Sequence, residues 1–299
     1  MTANGQSYAE AGVSLAVADA VVGRLRAAVE STGASGFGAF AGLHPLDERR
    51  LLAASTDGVG TKLILARQRG RLRDCGRDLA AHCINDVITT GATPLMLLDY
   101  VAAAEIELEQ VAELVEGAAD VCRDAGVALV GGETAELPGT YREGELDFAG
   151  TCVGVVERDE LVDGTSIVAG DAVIGFASAG VHANGFTLVR RVLELEDYDG
   201  PDLLAPTRLY LTEARALRGR AKAFAHVTGG GVLGNLSRVV PAGLEAELDW
   251  DSWPRQPVFG WLAGHVEEDE LRRVFNLGIG WCAVVAEPAS GELVIGRIR

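Results

Sequence analysis

Apolar positions along the chain follow two rhythms, one helical and one alternating, separated by glycine-rich turns. Residues 16–30 (AVADAVVGRLRAAVE) repeat apolar side chains at helical spacing and stop before the loop TGASGFGAFAG at 32–42. A short strand, LLAAS, runs directly into TDGVGTK at 56–62. Residues 74–90 predict a helix carrying CIND at 83–86, PLMLLDYVAA at 94–103 a buried strand, and 107–125 an amphipathic helix. VALV at 127–130 predicts a strand that feeds a glycine turn, GGETAELPG, at 131–139. DFAGTCVGVVE at 147–157 alternates apolar with small residues, as a strand does.

A polar break at 158–171 (RDELVDGTSIVAGD) places a domain boundary near 163–170, giving domains 1–165 and 166–299. Beyond it, AVIGFAS from 172 predicts a strand, and SAGVHANG at 178–185 a turn opening a helix to about 195. A helix follows Pro206, and HVTGGG at 226–231 opens another that Pro241 stops. The stretch 258–273 reads as helical, FNLGIGWCAVVAE at 275–287 as a strand, and 292–298 as its neighbour across a turn at 288–291. Strands and helices alternate in both halves, so the fold class is α/β or α+β.

Composition sharpens this picture. With 299 residues, 48% of them hydrophobic, the chain can bury two ordinary cores. Five widely spaced cysteines without a C-x-x-C read as buried small hydrophobes in a reducing compartment. The sequence shows no signal peptide and no membrane-length apolar run, so a cytoplasmic protein is expected, with no membrane partner. The net charge of −17 repels nucleic acid. It also means that a bound nucleotide must be held by backbone N–H groups, a few placed cations and divalent metal.

Four glycine-rich segments could meet phosphate: GASGFG, DGVGTK, VGGET and TGGG. None is a P-loop, and one such turn alone is usually just a turn. Four together, each beside a polar or acidic residue, point to a ligand. In TDGVGTK the strand delivers Asp57, Gly58 and Gly60 flatten the turn, and Thr61 and Lys62 begin a helix. An acid for Mg²⁺ and a lysine for phosphate make a compact station, the alternative being a helix cap and a solvated lysine. Lys62 is one of only two lysines, the other being Lys222. Asp86, within an apolar helix, needs a partner, either a metal or a helix-to-loop hydrogen bond. Glu133 ends a buried strand where ligand groups of α/β sheets lie, or caps a following short helix. His182 and His226 sit at polar glycine turns suited to anion binding or proton transfer. His44, His82 and His265 lack that setting and read as core or surface residues.

These segments resemble, in order and over nearly the whole chain, the successive motifs of the aminoimidazole ribonucleotide synthetase family. They are SYAEAGV (7–13), GFGAF (36–40), TDGVGTK, CIND, GGETAELPG, HANGFTLVR (182–190), LLAPTRLY (203–210), HVTGGGVLGNLSRVVP (226–241) and FNLGIG (275–280). The resemblance implies a homodimer whose N-terminal domains form a shared β-barrel with flanking helices, and a C-terminal α+β sandwich domain. It implies ATP-dependent ring closure of formylglycinamidine ribonucleotide to aminoimidazole ribonucleotide, through an imidophosphate, in purine biosynthesis. ATP and its phosphates would meet Gly36, Gly38, Asp57, Gly58, Gly60, Thr61, Lys62, Asn85, Gly131 and Gly132, with the 33–38 loop folding over them. Mg²⁺ would sit on Asp57, Asp86 and Glu133. His182, Asn184, Thr228, Gly229 and Gly230 would face the ribonucleotide, and Lys62, His182 and His226 would serve catalysis.

The alternatives are another ATP-dependent synthetase or kinase of the same superfamily, or a non-catalytic paralogue. Two departures stand out. Ser14 replaces the aspartate usual after A-G-V, and the C-terminal segment is too short for the helix that the family places between its last strands.

Overall fold

The structure is a computed structural model that describes residues 6–34 and 37–299. The N-terminal half runs α1 (Leu15–Glu30), β1 (Gly42–Pro45), β2 (Arg50–Gly58), α2 (Lys62–Gln68), α3 (Leu72–Ile88), β3 (Thr93–Ala103), α4 (Leu108–Ala125), β4 (Ala128–Glu136) and β5 (Leu146–Glu157). The C-terminal half runs β6 (Ala172–Ala177), α5 (Phe186–Leu193), α6 (Leu211–Ala216), β7 (Ala221–His226), α7 (Gly231–Leu236), β8 (Ala246–Leu248), α8 (Pro257–Ala263), α9 (Glu268–Val274), β9 (Ile279–Val285) and β10 (Val294–Ile298). Ser14 caps α1 by accepting the Val17 N–H at 3.3 Å.

Each half builds one five-stranded sheet, ordered β1-β2-β5-β3-β4 and β7-β9-β6-β10-β8. In the first, β3 and β4 are parallel, so the chain must cross over between them, and α4 is that crossover. Gly126, in the left-handed region at φ 72°, ends α4 and turns the chain back into the sheet. Helices α3 and α4 meet backbone to backbone. A Cβ on Gly76 would lie 2.0 Å from the Leu114 carbonyl oxygen, and one on Gly117 would lie 1.9 Å from that of Arg73. Any side chain at either position would force the pair apart.

Helix α3 covers one face of this sheet, burying Leu51, Ala53, Leu97, Phe148 and Cys152 beneath Leu79, Cys83 and Val87. The opposite face keeps apolar side chains in solvent: Met96, Leu98 and Tyr100 of β3 are 37–39% exposed. The sheet is open, with β1 and β4 as edges, so one chain forms no closed barrel.

Several expectations shift. GGETAE is not a turn, because β4 continues through Gly131, Gly132 and Glu133 to Glu136, and no helix follows for Glu133 to cap. The 258–273 stretch is two helices, broken between Ala263 and Glu268. Strands β1, β7 and β8 lie outside the strands that the apolar pattern predicts. The last two strands are not neighbours, since β6 lies between β9 and β10 and pairs with both.

Alternation along β9 divides the second core. Trp281, Ala283 and Val285 join the cluster containing α8 and α9, whereas Cys282 and Val284 join Val232, Leu236 and Trp253. Val284 and Ile295 are fully buried. Their cover is α7 and the segment leading to Trp253, rather than the 258–273 stretch or a second subunit.

Candidate active site

Strand β2 ends at the turn Asp57–Thr61, and α3 runs beneath it. That geometry sets His82 under Asp57, with Nδ1 3.2 Å from the carboxylate. One helical turn on, the side chain of Asp86 lies on the same face. It accepts from Ser55 Oγ at 2.9 Å and meets His226 Nδ1, at the end of β7, at 2.8 Å. The imidazoles of His82 and His226 stand edge to face, centroids 5.1 Å apart. Two carboxylate–imidazole pairs therefore lie back to back, one within the N-terminal half and one crossing to the C-terminal half.

Their protonation follows from burial against partner. Burial opposes a charge on Asp57, yet the hydrogen bond and charge of His82 outweigh it and hold the carboxyl below its ordinary range. Burial likewise lowers His82, but Asp57 pulls it above its usual value. At His226 burial wins over the Asp86 hydrogen bond, and the imidazole is held neutral. A neutral His226 donating from Nδ1 to Asp86 presents an unprotonated Nε2, which has no partner and is buried.

His182 is the complement. Its backbone lies in the left-handed region at φ 64°, a costly setting for a non-glycine residue. The Ala179 N–H donates to Nε2 at 3.0 Å, so the ring proton sits on Nδ1, which is buried without a partner. Burial first, then the neighbouring His82 and His226, push its pKa well down. Gly280 makes room here, because a Cβ would lie 2.1 Å from the Tyr210 hydroxyl and 2.6 Å from His182 Cε1. Asn184 Nδ2 is another buried donor without a partner, and its Oδ1 would lie 3.8 Å from a Cβ on Gly229. The 228–231 turn is held by Asn235, which donates to the carbonyls of Thr228, Gly229 and Gly231.

The structure thus brings together Asp57, Asp86, His182, Asn184, His226 and the Thr228–Gly230 turn. Others lie elsewhere. Lys62 is fully buried, with its ammonium 2.6 Å from Asp78 and donating to the His182 and Ala205 carbonyls at 3.0 and 3.1 Å. The expected phosphate-facing lysine is corrected to an interdomain tie. Asn85 is also committed, accepting from Tyr210 N–H and donating to the Arg208 carbonyl, so the CIND amide joins the halves rather than meeting a nucleotide. Glu133 stands opposite Tyr100, whereas Asp57, Gly150, Asp99 and Gly132 form the next row across the sheet. Side chains alternate along strands, so Glu133 faces away from Asp57 and cannot share an ion with it in one chain. Gly131 and Gly132 lie exposed in the same edge strand. Among the described residues no three His, Cys, Asp or Glu side chains converge as a metal site. Gly36 lies outside the described residues; Gly38 is within them.

Thr61 Oγ1 meets Thr187 Oγ1 at 2.9 Å, and Gly60 and Thr61 open onto a cleft of about 890 Å³ that also carries Arg67, Tyr141, Asp147 and Arg190. Sequence reasoning missed His82, Ser55 and Asp78. His82 did carry a signal, since it lies four residues before Asp86 on one helix face.

Residues 38–156 match the N-terminal domain of AIR synthase related proteins, and residues 168–295 match their C-terminal domain. The chain belongs to the AIR synthase related family. Relatives within reach of this family include a phosphoribosylformylglycinamidine cyclo-ligase from Synechococcus sp. (strain CC9902), 47% identical over 94% of this chain and 89% of the relative. Another, from Burkholderia lata, is 42% identical over 99% and 94%. Among solved structures, thiamine monophosphate kinase from Aquifex aeolicus superposes with TM-score 0.68 at 14% identity, covering 94% of each chain. A ThiL structure complexed with AMPPCP and TMP gives 0.69 at 15% identity, covering 93% of this chain and 90% of that one. These two establish that the AIR synthase related fold extends to them, and no more. No helix among the described residues is long and apolar enough to cross a membrane.

Proposed function

We propose that this chain is a cytoplasmic, ATP-dependent cyclo-ligase that closes formylglycinamidine ribonucleotide to aminoimidazole ribonucleotide, releasing ADP and phosphate. Identity of 42–48% to curated cyclo-ligases over more than nine-tenths of the chain supports the reaction. The observation that carries the chemistry is the pairing of Asp57 with His82 and of Asp86 with His226 at the domain junction, with His182 in the field of both imidazoles.

An amide oxygen is a poor leaving group. Transfer of the γ-phosphoryl of ATP to it creates a phosphate leaving group, and an amine of the same substrate then attacks the carbon. Both steps reward positioning. The Nδ1–H of His182 and the Asn184 amide offer donors to the amide oxygen. The free Nε2 of His226, fixed by Asp86, can take a proton from the attacking amine. Asp57 and Asp86 are hard oxygen donors beside the glycine turn and fit Mg²⁺, with Glu133 outside the set. Held there, the ion would supply positive charge against the ATP phosphates. The 890 Å³ cleft has room for a nucleotide and carries two arginines, Arg67 and Arg190.

The same reading includes a homodimer. The bare face with Met96, Leu98 and Tyr100 is what a second copy would cover in closing a barrel. Measuring ADP formation with and without formylglycinamidine ribonucleotide tests the reaction. Strict dependence on the ribonucleotide is expected, and ATP turnover indifferent to it would favour a kinase of the same fold.

A further inference from the structure

Gly38, Ala39 and Phe40, just before β1, are gripped by the opposite domain. Arg238, just beyond α7, lays its guanidinium 3.8 Å above the Phe40 ring. Its Nε donates to the Gly38 carbonyl at 3.2 Å and its Nη2 to the Ala39 carbonyl at 2.9 Å. Phe40 itself is 6% exposed and packs with Val232 and Leu236 of α7, so the loop is anchored in the C-terminal core. On its other side Arg238 approaches Asn235 Oδ1 at 3.5 Å. That is the same Asn235 whose Nδ2 fixes the 228–231 turn.

We propose that Arg238 is a positioning residue of the reaction, clasping the Gly38–Phe40 loop and the Thr228–Gly231 turn into one rigid phosphate-facing frame. This rests on the cyclo-ligase reading, in which the loop serves ATP and the turn serves the ribonucleotide. A planar guanidinium suits the task. It donates to two carbonyls, stacks on a ring and holds its charge permanently, none of which an ammonium reproduces together. Its charge also lies within the field of Asp86 and Asp57.

A clasp shared by both turns predicts a coupled defect. Arg238→Ala should raise KM for ATP and KM for the ribonucleotide together, each by about tenfold, while kcat falls less than about threefold. Arg238→Lys should recover little, and Phe40→Leu should give a smaller rise in both. Chymotryptic cleavage after Phe40, read by mass spectrometry on the ligand-free chain, should be slow in the parent and fast in Arg238→Ala. Both KM values within twofold of the parent, or a rise in only one, would overturn the proposal, as would unchanged cleavage after Phe40. A parent chain showing no ribonucleotide-dependent ATP turnover would instead sink the cyclo-ligase reading, and the cleavage comparison would still decide whether the clasp exists.

Discussion

The ammonium of Lys62 lies 2.6 Å from the carboxylate of Asp78, and both side chains are fully shielded from solvent. Around them Thr207 donates twice to Asp78, through its N–H and hydroxyl at 2.7 Å, and the Phe186 ring sits 5.4 Å from the ammonium. Lys62 and Asp78 belong to the N-terminal half, and His182, Ala205, Phe186 and Thr207 to the C-terminal half. The pair is therefore the polar centre of the junction on which the active site is built.

Removing one partner strands a buried charge, which costs about 3–5 kcal/mol. Lys62→Ala should accordingly unfold at markedly lower denaturant than the parent, as should Asp78→Ala. In the double variant the two losses should be less than additive. A Lys62→Ala protein of native stability that simply binds ATP poorly would restore lysine to the phosphate site and contradict this placement.

Asp57→Asn and Asp86→Asn should each lower turnover at least about tenfold while far-UV circular dichroism stays native. Turnover within twofold of the parent for both would remove these carboxylates from the reaction.

Acid should weaken the fold through its histidines. His182 and His226 have folded pKa values depressed below the ordinary 6.5, so the unfolded chain takes up protons that the native chain refuses. Their contribution is present above pH 6.5 and is lost as pH falls below it, by about 1.4 kcal/mol per pH unit for each such histidine. His82 acts oppositely, its raised value favouring the fold until pH climbs through it. Below pH 6.5 His82 is protonated folded and unfolded alike and adds nothing to the slope, so the two depressed histidines give a net fall in stability between pH 6.5 and 5, measurable by denaturant titration. His182→Gln should flatten that fall, and an unchanged slope would show that His182 is not held neutral.

Much of the fold was legible because its pattern is local. The amphipathic 107–125 segment and the alternating 147–157 strand became the elements they predict, whereas the helix opened by the 226–231 turn ends at Leu236, short of the expected stop at Pro241. Where a residue's role depends on distant partners, reading along the chain failed. Lys62 looked like a phosphate ligand because lysines are rare here, but Asp78 on the next helix and carbonyls from the other domain neutralise it. GGETAE reads as a turn by its glycines, yet parallel pairing with β3 keeps it extended. His82 sits mid-helix without a glycine turn, so its local sequence gives it no setting for chemistry. Its meaning comes from β2 placing Asp57 above it.

Strand β9 lies between β7 and β6 with every residue buried. Amides of 282–286 should exchange only by near-global unfolding. Fast exchange there would mean that the second sheet is loosely packed.

Leu98→Lys, on the bare face of the first sheet, should convert a sedimenting dimer into a monomer, because a lysine pair would be buried without counter-charge. An unsubstituted chain that sediments as a compact monomer at all salt concentrations would refute the shared-barrel assembly.

The central claim is that ATP activates an amide oxygen of the substrate, and one isotope experiment reads that event. Formylglycinamidine ribonucleotide carrying ¹⁸O in its formyl amide is turned over with unlabelled ATP, and the released phosphate is weighed by mass spectrometry. Phosphoryl transfer to the amide oxygen followed by its departure must leave one ¹⁸O in each inorganic phosphate. Unlabelled phosphate, with the isotope in water or retained in the nucleotide product, would contradict it.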